Sequence, residues 1–217
     1  MILSQSVKQL SITDCFFSPT RIRIRAPKLV SLEICYSYGK APLLDKMPSL
    51  ETAVFSISPK DYCDGAFSAE CSGACLNCCS NNDQNTSDIL GGLSNTTKLE
   101  LRIFYGTLIL GRRCPTFSRL KALLLKVPGQ ANDLHSIVCI LGRSPVLEKL
   151  TLQLSEGDIW TGESEGMYQT RDQLPAISQL LDTVEIKCRE VDERVCFIMK
   201  FLSRFIKHIN INLNGIP

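Results

Sequence analysis

The sequence predicts an α/β fold: a solenoid whose short parallel strands stack into one curved sheet, with irregular helices and loops on the outer face. Three observations lead there. A ladder of aliphatic residues recurs along the 217-residue chain, its copies keep a common register, and helical patches fall between them.

The ladder is clearest at Leu29-x-x-Leu32-x-Ile34, Leu120-x-x-Leu123-x-Leu125 and Leu147-x-x-Leu150-x-Leu152. Degenerate copies occur at Val7-x-x-Leu10-x-Ile12, Leu50-x-x-Ala53-x-Phe55, Thr96-x-x-Leu99-x-Leu101 and Leu181-x-x-Val184-x-Ile186. The spacing suits an apolar anchor on an approach loop, then a strand that buries alternate side chains. Such a unit cannot bury its apolar face alone, so it must stack on its neighbours. The middle positions are 10, 32, 53, 99, 123, 150 and 184, giving steps of 22, 21, 46, 24, 27 and 34 residues. Leucine-rich repeats run about 20–29 residues. The reading is therefore a leucine-rich-repeat solenoid. The 46-residue step is expected to be two steps of 23 with an irregular repeat inside, and the 34-residue step one repeat with an insertion.

The intervening elements follow from the same logic. In NDLHSIVCILGRSP, Leu134, Ile137, Val138 and Leu141 mark one face of a helix. Asn132 or Asp133 caps its start, Gly142 stops it and Pro145 prevents its resumption. A longer helix is expected from about Asp192 to Ile206, burying Val195, Ile198, Met199, Leu202 and Phe205. HININLNG reads as a last strand alternating Ile209, Ile211 and Leu213 with polar residues, and MILSQSVKQL reads as a first.

The whole of 1–217 reads as one elongated domain, interrupted by insertions at about 59–88 and 155–173. Each insertion holds five acidic residues against one basic, Lys60 or Arg171. A hydrophobic content of 44% supports a continuous core, and a net charge of +2 does not point to a polyanion-binding protein. The start lacks a basic segment followed by an apolar one, and no apolar run approaches the length of a membrane span. The expectation is a cytoplasmic or nuclear protein whose eleven cysteines are reduced. The sequons at Asn85 and Asn95 then carry no glycan.

The cysteine-rich insertion, with Cys63, Cys71, Cys75, Cys78 and Cys79, is the one constellation with metal chemistry in it. Cys75-x-x-Cys78 is half of a zinc site, and Cys71, Cys79 or Cys63 would complete it. A second C-x-x-C or H-x-x-x-H is missing, so the sequence assigns no metal and no cofactor. The alternative function it keeps open is a zinc- or redox-responsive regulator centred on Cys63–Cys79.

Arg21, Arg23 and Arg25 alternate with Ile22 and Ile24, which places the guanidinium groups on the exposed side of a strand. Lys98, Arg102, Arg112, Arg113, Arg119, Lys121 and Lys126 add positive charge to the middle repeats. Arg21, Arg23, Arg25, Arg102 and Lys121 are the candidate contacts to an acidic protein partner. Nucleic acid is not expected, because no aromatic platform accompanies these charges. Catalysis finds no motif: there is no phosphate loop with a lysine, no G-x-S-x-G and no H-E-x-x-H. The two histidines, His135 and His208, read as structural.

The stretches RIRAPKLVSLEI, MPSLETAVFSI, ILGGLSNTTKLEL, CPTFSRLKALLL, LHSIVCILGRSPVLEKLTLQL and LDTVEIKCREVDERVCFIMKFL resemble the repeat region of plant F-box/LRR proteins. APKLVSLEI and SPVLEKLTL are the most specific phrases. The V-E-I-K strand followed by DERV and an apolar helix resembles the family's FBD-type end, here about 176–217. The resemblance implies the substrate-recognition arm of a Cullin-RING ubiquitin ligase, noncatalytic, with the repeats holding an unnamed target. In the family an F-box ahead of the repeats binds a Skp adaptor. Met1 opens directly into repeat-like sequence, so the expectation is a truncated product or a fragment without the F-box. Adaptor binding is assigned to no residue here.

Overall fold

The computed structural model describes residues 1–15, 22–35, 42–57, 89–103, 114–127, 134–155 and 177–213. They form an α/β structure with two parallel sheets. The larger contains eight strands: β2 (Gln9–Thr13), β4 (Ser31–Cys35), β6 (Thr52–Ile57), β7 (Lys98–Ile103), β8 (Ala122–Val127), β9 (Lys149–Leu154), β10 (Thr183–Lys187) and β11 (His208–Asn212). They lie side by side in chain order, every pair parallel. The smaller sheet holds β1 (Ile2–Leu3), β3 (Arg23–Arg25) and β5 (Leu43–Leu44). Its strands alternate along the chain with those of the larger sheet.

The ladder sets the register. Leu10, Leu32, Ala53, Leu99, Leu123, Leu150, Val184 and Ile209 stand opposite one another across successive strands. The residues two further on, from Ile12 to Ile211, make a second row. From Leu32 to Ile186 both rows are buried. Burial fixes this register, because a slip of one residue would turn every aliphatic side chain outward.

One turn precedes most of these strands. The N–H of the anchor donates to the carbonyl three residues back in Leu29→Ala26, Leu50→Met47, Thr96→Leu93, Leu120→Phe117, Leu147→Ser144 and Leu181→Ser178, at 3.0–3.4 Å. Pro27, Pro48 and Pro145 occupy the second position of three of these turns, where a φ near −65° is already required. Thr96 stands where other repeats have an aliphatic anchor, and its buried hydroxyl donates to Leu93 O at 2.8 Å. The next residue's carbonyl then joins the repeats: Val30 O, for example, accepts from Glu51 N at 2.9 Å and Thr52 N at 3.0 Å. Glu51 O, Thr97 O and Lys121 O repeat the arrangement with the strand that follows.

The short helix α1 (Ile89–Leu93) and the helices α2 (Leu134–Gly142) and α3 (Glu193–Leu202) precede β7, β9 and β11. Their side chains, with Ile24 and Leu44 of the smaller sheet and Phe117, join the ladder in one hydrophobic cluster. Gly92 lets α1 approach β5: a Cβ there would collide with the Leu44 Cβ and stand 2.9 Å from the Leu44 carbonyl oxygen.

Several expectations change. The 46-residue step joins two adjacent strands of the larger sheet, since β6 pairs directly with β7, Ala53 opposite Leu99. It is one step with an insertion, as is the 34-residue step between Leu150 and Val184. MILSQSVKQL contributes to two strands in different sheets rather than one. Helix α3 begins as expected, with the Asp192 side chain accepting from Val195 N at 2.8 Å, but ends at Leu202. Met199 and Phe205 are only partly buried, and Arg194 takes a buried place instead. Ile211 and Leu213 are 38% and 51% exposed, Ile211 on the edge strand β11 and Leu213 just beyond its end.

Truncating the ladder should cost what it costs in a closed core. Leu123→Ala and Leu150→Ala should each lower stability by about 2–5 kcal/mol in urea titrations; a loss under about 1 kcal/mol would contradict the packing described. Gly92→Ala should cost about 1–3 kcal/mol through overpacking against Leu44, although alanine is the better helix former.

Candidate protein-binding face

The residues between ladder positions point away from the core, because side chains alternate along a strand. On the larger sheet they form cross-strand rows. The middle row runs Ser11, Glu33, Val54, Glu100, Leu124, Thr151, Glu185 and Asn210. The row nearer the strands' C-terminal ends includes Ser56, Arg102, Lys126, Gln153 and Lys187. Carboxylates thus fall in one row and cations in the next. Val54 and Leu124, both partly exposed, flank Glu100 on the neighbouring strands.

Glu100 is the electrostatic centre of this face. It accepts from Arg102 Nε at 3.1 Å and pairs with Lys126 Nζ at 2.9 Å. Burial by itself raises the Glu100 pKa, but hydrogen bonds and charge from Lys126 and Arg102 outweigh it, and the net shift is downward. Toward β11, Glu185 pairs more loosely with Lys187 at 3.8 Å. Toward β2, Glu33 accepts from the Ser11 hydroxyl at 2.8 Å. Between Lys98 and Lys187, β7 to β10 carry the cations Lys98, Arg102, Lys126, Lys149 and Lys187 against the carboxylates Glu100 and Glu185. The face keeps a surplus of positive charge after its internal pairs are formed.

The sequence-derived candidates divide between places. Arg23 and Arg25 are exposed on β3 with Ile24 buried between them, as the alternation implies. They belong to the smaller sheet, and Arg23 Nε lies 3.5 Å from Asp45. Arg102 lies on the charged face. Lys121 stands just ahead of β8 and pairs with Glu148 at 2.9 Å; both are well exposed, and such pairs contribute little stability. Arg21 falls outside the described residues. Of the described candidates, Arg23 and Arg25 thus lie on the smaller sheet, Arg102 on the larger, and Lys121 just ahead of β8. Sequence reasoning missed Val54, Glu100, Leu124 and Glu185, although the middle residue of each L-x-L phrase marks them.

Cys63, Cys71, Cys75, Cys78 and Cys79 lie outside the described residues. Among the described residues no group of three or more histidine, cysteine or acidic side chains is placed to hold a metal ion. The Cys35 thiol, buried beside the charged face, is pushed up by burial and by Glu33 and Glu100, against Arg102 and Lys126. Burial raises the Cys188 thiol too. Both favour the unreactive protonated form. His208 is exposed at the start of β11, and His135 lies on α2. Arg194 ties α3 to the end of β9 through Nη2, which donates to Ser155 O at 3.0 Å; its Nε and Nη1 have no partner among the described residues. Among the described residues no helix is long and apolar enough to cross a membrane.

No family model, no curated protein and no solved structure matches the chain.

The Glu100 cluster sets a pH dependence. A carboxyl whose pKa is lower folded than unfolded contributes stability above its unfolded pKa and loses it as pH falls through the folded value. Glu100→Gln should therefore reduce stability near pH 7. The gap from wild type should close as pH drops below about 4, under the ordinary range for Glu. Urea midpoints across that range measure it, and a gap independent of pH would contradict the assignment.

Proposed function

We propose that this chain is a noncatalytic protein-binding domain of the leucine-rich-repeat type. Its repeats stack as a solenoid and hold a target protein against the outward face of the larger sheet. This is the role of the substrate-recognition arm of plant F-box/LRR ubiquitin-ligase subunits, which the repeat phrases resemble. The observation that carries the reading is the row order on that face. Each repeat adds one strand to it and so one residue to each row, with two apolar side chains astride a carboxylate shared by two cations. Partly exposed apolar groups beside fixed charges supply both affinity and orientation in protein recognition. A broad face assembled one strand at a time suits an extended partner surface better than a small substrate. The surplus of lysine and arginine on β7–β10 favours a target with carboxylates. Adaptor binding is assigned to no residue of 1–217; it belongs to an F-box where one precedes the repeats.

The test compares the two sheets. Partners cross-linked to the chain in cells and identified by mass spectrometry should lose at least about tenfold in affinity to Leu124→Arg/Lys126→Glu, a loss of about 1.4 kcal/mol. Arg25→Glu on the smaller sheet should leave their affinity unchanged. Partners that tolerate the first variant and lose the second would move the binding surface to the smaller sheet.

A further inference from the structure

We infer that the outward face carries a subsite for a phosphorylated serine or threonine of the target protein, held between Lys98 and Lys149 above Ala122, with an apolar target residue two positions along seated on Leu124. This rests on the outward face being the binding surface.

The pairing of charges carries it. Strands β7–β10 hold five cations. Arg102 and Lys126 serve Glu100, and Lys187 serves Glu185. Lys98 and Lys149 are exposed and form no ion pair among the described residues. The carboxylates of these strands are engaged elsewhere. Glu100 is held by its two cations, and Glu185 by Lys187, the Thr151 hydroxyl and the Asn212 amide.

Register brings the two lysines to one place. Ala122 pairs with Lys98 on one side and with Lys149 on the other. Neighbouring strands lie about 4.8 Å apart, so the two lysine Cα atoms are about 10 Å apart. Two four-carbon side chains span that gap, and the small methyl of Ala122 leaves room between them. Two ammonium groups meeting at one point suit one doubly charged group. A phosphoserine or phosphothreonine carries about −1.5 to −2 charges at pH 7, and lysine binds phosphate as a point charge. A single carboxylate would balance one lysine and leave the other.

Leu124 sets what lies beside the phosphate. It stands two residues beyond Ala122 on the same face of β8 and is partly exposed. Alternate residues of an extended peptide share a face and lie about 6.6 Å apart. A target segment running along β8 with its phosphate above Ala122 therefore places the side chain two residues away above Leu124. The short side chain of serine or threonine keeps the peptide close enough for that contact.

The test applies a degenerate peptide library, with phosphoserine fixed at its centre, to the immobilised 217-residue chain. Retained peptides should be enriched in Leu, Ile, Val or Met two positions from the phosphoserine. A peptide so selected should bind at least about tenfold more weakly when serine or glutamate replaces the phosphoserine, and as much more weakly to Lys98→Gln/Lys149→Gln. Lys98→Arg/Lys149→Arg should retain most of the affinity. Lys121→Gln should retain all of it, since Lys121 is paired with Glu148. Both substituted lysines are exposed, so the variants should fold, which circular dichroism checks. A library from which nothing is retained, equal binding of the glutamate peptide, or undiminished binding to Lys98→Gln/Lys149→Gln overturns the proposal. If cross-linked partners are still lost to Leu124→Arg/Lys126→Glu in that case, the face remains a binding surface and only the phosphate subsite falls.

Discussion

Everything in this molecule depends on strands that cannot be buried singly. Each ladder strand covers its aliphatic side chains only by lying in register beside the next. A two-residue row such as Leu123 and Leu125 is closed by Leu99 and Leu101 on one side and by Leu150 and Leu152 on the other. The constraint is local in space but repeated, so it orders the strands as they occur in the chain. The turn ahead of each strand serves the same end. It buries the anchor and points one carbonyl at two N–H groups of the following repeat.

That constraint also explains the outward face. Once alternate residues are committed to the core, the remainder must point the other way, and equivalent positions line up across the sheet. Charges far apart in sequence become neighbours: Glu100 and Lys126 are brought to 2.9 Å by register alone. The outward face is thus made by register. It presents a pattern, apolar at Val54 and Leu124 and charged around Glu100, over a surface whose extent depends on the number of repeats.

How much was legible follows from how far a residue's place is determined by periodicity. Leu32, Leu99, Leu123 and Leu150 were readable because burial imposes a period of two on every strand. Helix α2 was readable from its apolar stripe and Gly142. The smaller sheet was not: Ile2–Leu3 and Leu43–Leu44 are too short to show any period. The step from Ala53 to Leu99 misled the arithmetic because a connection between parallel strands takes any length without disturbing register. The cations of the candidate site were conspicuous as a cluster. The carboxylates and apolar residues beside them were not, because their proximity comes from cross-strand register rather than sequence spacing.

The central claim is that register, and it is sharpest where the sequence arithmetic failed. Scalar coupling across hydrogen bonds, measured by NMR on labelled protein, detects individual N–H···O=C pairs. The account predicts coupling between the Lys98 amide and the Glu51 carbonyl, 3.0 Å apart in space and 47 residues apart in sequence (98 − 51). Coupling of the Lys98 amide to a carbonyl within 59–88 instead would place another strand between β6 and β7 and contradict the stacking described.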